Sequence, residues 1–230
     1  MKNVVEACKD LEYSWLPEKV DSFSLVITGP TAIANVEAQL EAGKPVLQLP
    51  LFHYENELGW KWCALYDQEV EDYTVHIVMP LFHFVDISFV RADIESFWQG
   101  LQERAIQELT KTLINSSDSF SYTYKRKGLA TWDFDAVLPA QVEDFILDIT
   151  PRNAVPMING SVIIGEYRKA DECTGLLLFY NEFRDELFAE LRYKQYPEID
   201  HRLDANTIDE LSQLLKEHLQ PMLQALNHRS

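Results

Sequence analysis

A chain of 230 residues, 47% of them hydrophobic and 12% aromatic, has the material for a packed core, which excludes global disorder as its resting state. Lys and Arg number 20 against 37 Asp and Glu, a formal charge of -17, divided as 8 basic against 18 acidic residues up to position 115 and 12 against 19 beyond it. A field of that sign opposes phosphate backbones and anionic lipid and favours basic surfaces, so nucleic acid and membranes are set aside and a protein partner of basic character is expected.

In chain order, Asn3 followed by Glu6 has the form of a capping box, and Val4, Cys8, Leu11 and Trp15 keep helical spacing, which predicts a first helix up to Pro17. Glu6 also interrupts the opening stretch where an export signal needs an apolar run, and uncharged runs such as residues 73–85 and 153–165 are too short to span a bilayer. Cys8, Cys63 and Cys173 are odd in number, far apart and without a CxxC spacing, so reduced thiols and a cytoplasmic location are expected. Phe23 to Thr28 is a short β-favouring run stopped by Gly29-Pro30, after which Ile33, Val36 and Leu40 mark a helix ending at Gly43. Gly29-Pro30-Thr31 lacks the second glycine and the Lys of a phosphate loop.

From Val46 to Val90 the pattern predicts four strands, interrupted at Pro50 and Pro80, which assigns those points to an edge, a bulge or a bend. Both prolines open the same phrase, Pro50-Leu51-Phe52-His53 and Pro80-Leu81-Phe82-His83, read as two bent strand ends of similar build. Between them Trp60, Trp62 and Ala64 share one strand face, with Cys63 and Leu65 on the other; tryptophans so paired are core or a contact surface. Asp67, Glu69, Glu71 and Asp72 form an acidic turn. Asp93 suits the N-cap of a long helix in which Ile94, Phe97, Trp98, Leu101, Ala105, Leu109 and Leu113 make one stripe. Five small polar residues, 115–119, then offer a boundary.

Beyond it, Phe120, Tyr122 and Tyr124 alternate into Lys125-Arg126-Lys127-Gly128, and Trp132, Phe134, Ala136 and Leu138 alternate out, predicting a hairpin with a basic turn. Asn159-Gly160 between two apolar runs is a hairpin signal in which both turn positions accept positive φ. Leu176 to Tyr180 reads as a strand; Leu187 to Tyr193 fits either period and is read as a strand as well. Thr207 with Glu210 forms a second capping box, opening a helix along Ile208, Leu211, Leu215, Leu219, Met222 and Leu226 that Pro221 should kink or split. Together these elements describe an α+β protein, mainly antiparallel sheet with a few long amphipathic helices, in two similar halves, 1–116 and 117–230, or in one continuous domain.

Imidazole beside carboxylate suits zinc or iron, and on neighbouring strands His53, Glu55, His83 and Asp86 would converge as four metal ligands, although no HxH, HExxH or CxxC spacing accompanies them. No motif requires a cofactor. There is no GxSxG, and Cys63 has no glycine-rich or basic segment beside it to lower its pKa. Asp133 and Asp135 fall opposite the apolar positions, where carboxylates are solvated. Lys125, Arg126 and Lys127 with Tyr122, Tyr124 and Trp132 make one aromatic-basic patch of a kind that binds single strands, which the overall charge disfavours. The expectation is a cytoplasmic, non-catalytic protein-interaction module that binds or masks another protein, as an immunity protein or a secretion chaperone does, with Trp60, Trp62, Lys125, Arg126 and Lys127 as contact residues. The alternative is a metal-dependent or small-molecule enzyme built on His53 and His83 with their carboxylates. The apolar stripe of the last helix has self-association into a homodimer as its second use.

Overall fold

The computed structural model describes residues 1–170 and 173–229, with the backbone alone at Asp118 and Ser119. It is α+β with two antiparallel sheets, and the chain divides into two compact units, Met1–Leu109 and Thr110–Ser230. The polar stretch 115–119 expected as the boundary lies just inside the second unit.

The first unit runs α1 (Lys2–Cys8), β1 (Lys19–Val20), β2 (Phe23–Ile27), α2 (Gly29–Glu41), β3 (Gln48–Glu55), β4 (Lys61–Asp67), β5 (Asp72–Val78), β6 (His83–Arg91) and α3 (Ile94–Leu109), with its six strands paired in chain order. One sheet face carries an aromatic core: the Phe52 ring lies 6.0–6.4 Å from those of Tyr13, Trp15, Tyr54, Trp62 and Trp98. Four of these five contacts are edge-on, the arrangement that ring quadrupoles prefer. This core explains why α1 stops at Cys8 rather than reaching Pro17. Tyr13 and Trp15 leave helical spacing to pack on Phe52, and the Tyr54 hydroxyl donates to the Pro17 carbonyl at 2.9 Å. The Asn3–Glu6 cap does not form either, because Met1 occupies the N-cap position.

The two Pro-Leu-Phe-His phrases adopt unlike backbones, so they are not two equivalent bent strand ends. β2 pairs with β3 only from Phe52 onward, so Pro50 sits where β3 is an edge and its missing N–H costs no ladder bond; the register then shifts by one residue at Leu51. Pro80 instead occupies the first central position of the β5–β6 turn, closed by Phe82 N–H donating to Met79 O at 3.2 Å and Met79 N–H to Phe82 O at 2.8 Å. α3 begins as the sequence indicates, with Asp93 Oδ1 accepting from Ser96 N–H at 2.8 Å and Ile94, Phe97, Leu101, Ala105 and Leu109 buried. Its last expected turn, Thr110–Ile114, widens to π geometry.

The second unit contains α4 (Tyr122–Lys127), β7 (Gln141–Val142), β8 (Phe145–Ile149), β9 (Val155–Pro156), β10 (Ser161–Lys169), β11 (Gly175–Asn181), β12 (Glu186–Tyr193), β13 (Tyr196–Ala205) and α5 (Ile208–Asn227). Its strands are ordered β13-β12-β11-β10-β8-β7, with β9 also against β10. The expected hairpin at 120–138 is instead the helix α4 and short 3-10 turns. Ser121 Oγ accepts from Tyr124 N–H at 3.0 Å, and Gly128, at φ +90°, terminates the helix in the left-handed region, so caps at both ends outweigh the aromatic alternation. At Asn159-Gly160 only the glycine takes positive φ, +75°, and the Met157–Gly160 turn closes a hairpin with a bulge rather than a two-residue loop.

α5 covers one sheet face through Leu211, Leu215, Leu219, Met222, Leu223 and Leu226, opposite Leu176, Leu178, Tyr180, Leu187 and Leu203. Thr207 caps it, accepting from Glu210 N–H at 3.1 Å, while the Glu210 carboxylate accepts from Asn206 N–H at 2.8 Å. Pro221 does not split α5, which runs unbroken through it. It lies on the exposed side, where the carbonyl it cannot serve meets solvent.

Candidate functional site

On the sheet face of the first unit opposite the aromatic core, cross-strand registers place His53, Cys63, His76 and Val85 in one row and Glu55, Lys61, Val78 and His83 in the next. The structure brings His53 and Glu55 together, Nε2 to Oε2 3.3 Å, and adds Lys61 Nζ at 3.1 Å from the same carboxylate. Burial opposes ionisation of Glu55, but Lys61 and His53 outweigh it and hold the carboxyl below its ordinary range. His83 does not join this group, because β4 and β5 separate β3 from β6. Its Nε2 lies 2.8 Å from His76 Nδ1, a partner that sequence reading missed.

Burial pushes both of these imidazoles below their ordinary value, and His83 adds to the effect on His76 against Asp67. One neutral ring therefore donates to the other. Asp86, opposite Val75, has the other parity, and its Oδ1 accepts from Ser88 N–H at 3.0 Å. The four expected metal ligands thus stand in three separate places, and among the described residues no three His, Cys, Asp or Glu side chains are grouped as a metal ion needs. Cys63 is pushed up to about 11 by burial and stays a thiol, which is a weak nucleophile. Gly29 is a packing position: a Cβ there would meet the Tyr13 hydroxyl at 2.0 Å.

Trp60 and Trp62 are both buried and present no surface. The basic run divides by function. Lys127 Nζ donates to Asp185 O at 3.0 Å, Asp185 Oδ1 at 2.7 Å and Asn206 O at 2.7 Å, so all three of its protons tie α4 to the β11–β12 turn and the chain entering α5. Lys125 and Arg126 are exposed, with the Arg126 guanidinium 6.0 Å over the Tyr122 ring. Of the aromatics expected beside them, Tyr124 is buried, donating to Pro151 O at 3.0 Å, and Trp132 donates to Ser212 Oγ at 3.1 Å.

Three loops meet at this end of the second sheet. Glu182 N–H donates to Gly160 O at 2.8 Å, Ser121 Oγ donates to the Glu182 carboxylate, and the Phe183 ring covers Gly160 so closely that a Cβ there would lie 2.4 Å from it. These contacts bring together the loops that carry Tyr122, Ile158 and Phe183, apolar residues that are 77%, 53% and 81% exposed. Asn159-Gly160 was legible as a turn, yet its use as a seat for Phe183 depends on the distant β11–β12 loop.

The second unit also holds Glu166, fully buried in β10 between Ile149 of β8 and Leu177 of β11, with neither carboxyl oxygen hydrogen-bonded. A bulge at Ile164 sets its facing. Ile163 opposes Phe179 and Gly165 opposes Leu178, so the extra residue turns Glu166 away from α5. Burial, reinforced by Asp148 and opposed by Arg168, pushes its carboxyl up to about 8, while Asp148 and Arg168 pair with each other at 2.7 Å. Asp135 is exposed, as its alternation indicated, and pairs with Arg152 at 2.9 Å. No helix among the described residues is long and apolar enough to cross a membrane. No protein-family model matches the chain, and no curated protein or solved structure matches it significantly.

Proposed function

We propose that this protein is a non-catalytic protein-interaction module that binds or masks another protein through the loop tip formed by Tyr122, Ile158 and Phe183. The observation that carries this reading is the seating of Phe183: its ring lies against Gly160 while the residue remains 81% exposed. An ordered apolar side chain held out in water loses little freedom on docking. Burying three such side chains supplies about 5–9 kcal/mol of gross contact energy, at roughly 1.5–3 kcal/mol each. The overall charge of -17 supports a partner of positive net charge, which it attracts at long range.

Co-purification from the source cells tests the proposal, followed by reconstitution with the identified partner. The expected result is a complex with the native chain and at least about a tenfold loss of affinity for the Tyr122→Ser/Phe183→Ser variant, the loss of two interface anchors. An identified partner that binds native and variant chains equally well overturns the assignment of this surface.

A further inference from the structure

We infer that the segment this tip receives is acidic as well as apolar, an inference that rests on the interaction reading above. The local charge at the tip differs from that of the chain. Its carboxylates are already held: Glu182 by Ser121, Asp185 by Lys127 and by Tyr180 Oη at 2.9 Å, and Glu186 by Arg184 at 3.4 Å. Lys125 and Arg126, exposed on the last turn of α4 beside Tyr122, are in no ion pair among the described residues. The tip therefore offers an apolar seat beside two exposed cations that are in no ion pair among the described residues, in a chain with 37 acidic residues against 20 basic ones.

A docking segment with aromatic or aliphatic side chains set among Asp or Glu satisfies both features. Long-range attraction and local contact are separate: the -17 field acts on the partner's net charge, whereas Lys125 and Arg126 act on the residues that touch them. A second copy docking tip to tip is disfavoured, because a two-fold interface sets the same cations against each other. A single-stranded nucleic acid shares the aromatic and basic complement, yet its charge on every nucleotide is repelled throughout by the surrounding acidic surface, whereas a short peptide carries only a few charges.

Fluorescence anisotropy with the full chain separates these cases, using three labelled probes: a short synthetic peptide of Asp and Glu alternating with Leu and Phe, the same peptide with Lys at every acidic position, and oligothymidine of matching length. The acidic peptide should bind, weaken with added salt, and lose at least about tenfold in affinity to Lys125→Glu/Arg126→Glu and separately to Phe183→Ser. Thermal unfolding of both variants should match the native chain, since all three positions are exposed. Equal or tighter binding of the Lys peptide, binding of oligothymidine alone, or no binding of the acidic peptide each overturns the inference. Sensitivity of the Lys peptide to Phe183→Ser would overturn only the charge assignment and leave the tip as an interaction surface, which the co-purified partner tests independently.

Discussion

Replacing Glu166 with Gln should remove a pH dependence that the native chain carries. In the folded state burial, aided by Asp148, holds the carboxyl at about 8 against an ordinary 4.5. The unfolded chain thus ionises this group first, and the folded chain keeps its proton until the pH approaches 8. A raised native value stabilises the fold fully below pH 4.5, and that contribution is lost progressively up to about pH 8, beyond which both states are ionised. At 1.36 kcal/mol per pH unit the loss is about 5 kcal/mol over the window and about 3 kcal/mol by pH 7. Glutamine keeps the shape and has no proton to lose. The two proteins should therefore be of similar stability near pH 4.5, and Glu166→Gln should be the more stable by about 3 kcal/mol at pH 7. Urea unfolding followed by far-ultraviolet circular dichroism across this range gives the difference, and hydrogen exchange in β10 assigns it to the second unit. Subtracting the two curves removes every carboxylate they share. A difference that stays constant between pH 5 and 8 would refute the claim that Glu166 is held neutral by dry surroundings.

Two further substitutions probe the same unit. Pro221→Ala restores a backbone donor for the Glu217 carbonyl on the exposed side of α5 and should stabilise by about 2 kcal/mol, the helical cost of proline less its benefit in the unfolded chain, read as a higher urea midpoint at unchanged slope. Lys127→Met removes the charged donor from Asp185 and from the Asn206 carbonyl and should destabilise by about 2 kcal/mol in the same assay. Asp185, held below its ordinary value first by Lys127, should in that variant titrate closer to the usual carboxylate range by NMR.

What the sequence made legible was local. The Asp93 and Thr207 caps with their apolar stripes placed α3 and α5, and alternation placed β3 to β6, because each signal is complete within one segment. At 120–128 two local signals competed: aromatic alternation suggested a strand, while Ser121 and Gly128 were the caps of a helix only six residues long. β8 and β13 went unread; β13 contains Pro197 and is charged along much of its length, so it has little strand character of its own and owes its state to β12. The neighbours of the site residues were hidden for a related reason. His83 and His53 share a motif, but strand order decides neighbours, and it gave His83 to His76. Lys127 could not be separated from Lys125 and Arg126 without the position of Asp185, 58 residues away. Glu166 looked like any acid in an apolar run, because one bulged residue upstream determined which face received it.

The aromatic cluster around Phe52 also has an optical consequence. Trp15, Trp60, Trp62 and Trp98 all belong to the first unit, leaving Trp132 as the second unit's sole indole. With Trp15 and Trp98 only 5.6 Å apart and nearly perpendicular, the indole part of the near-ultraviolet circular dichroism reports chiefly on the packing of the first unit. Loss of that signal ahead of the far-ultraviolet signal in a single denaturation would show that the chain does not unfold in one two-state step, with no label added to it.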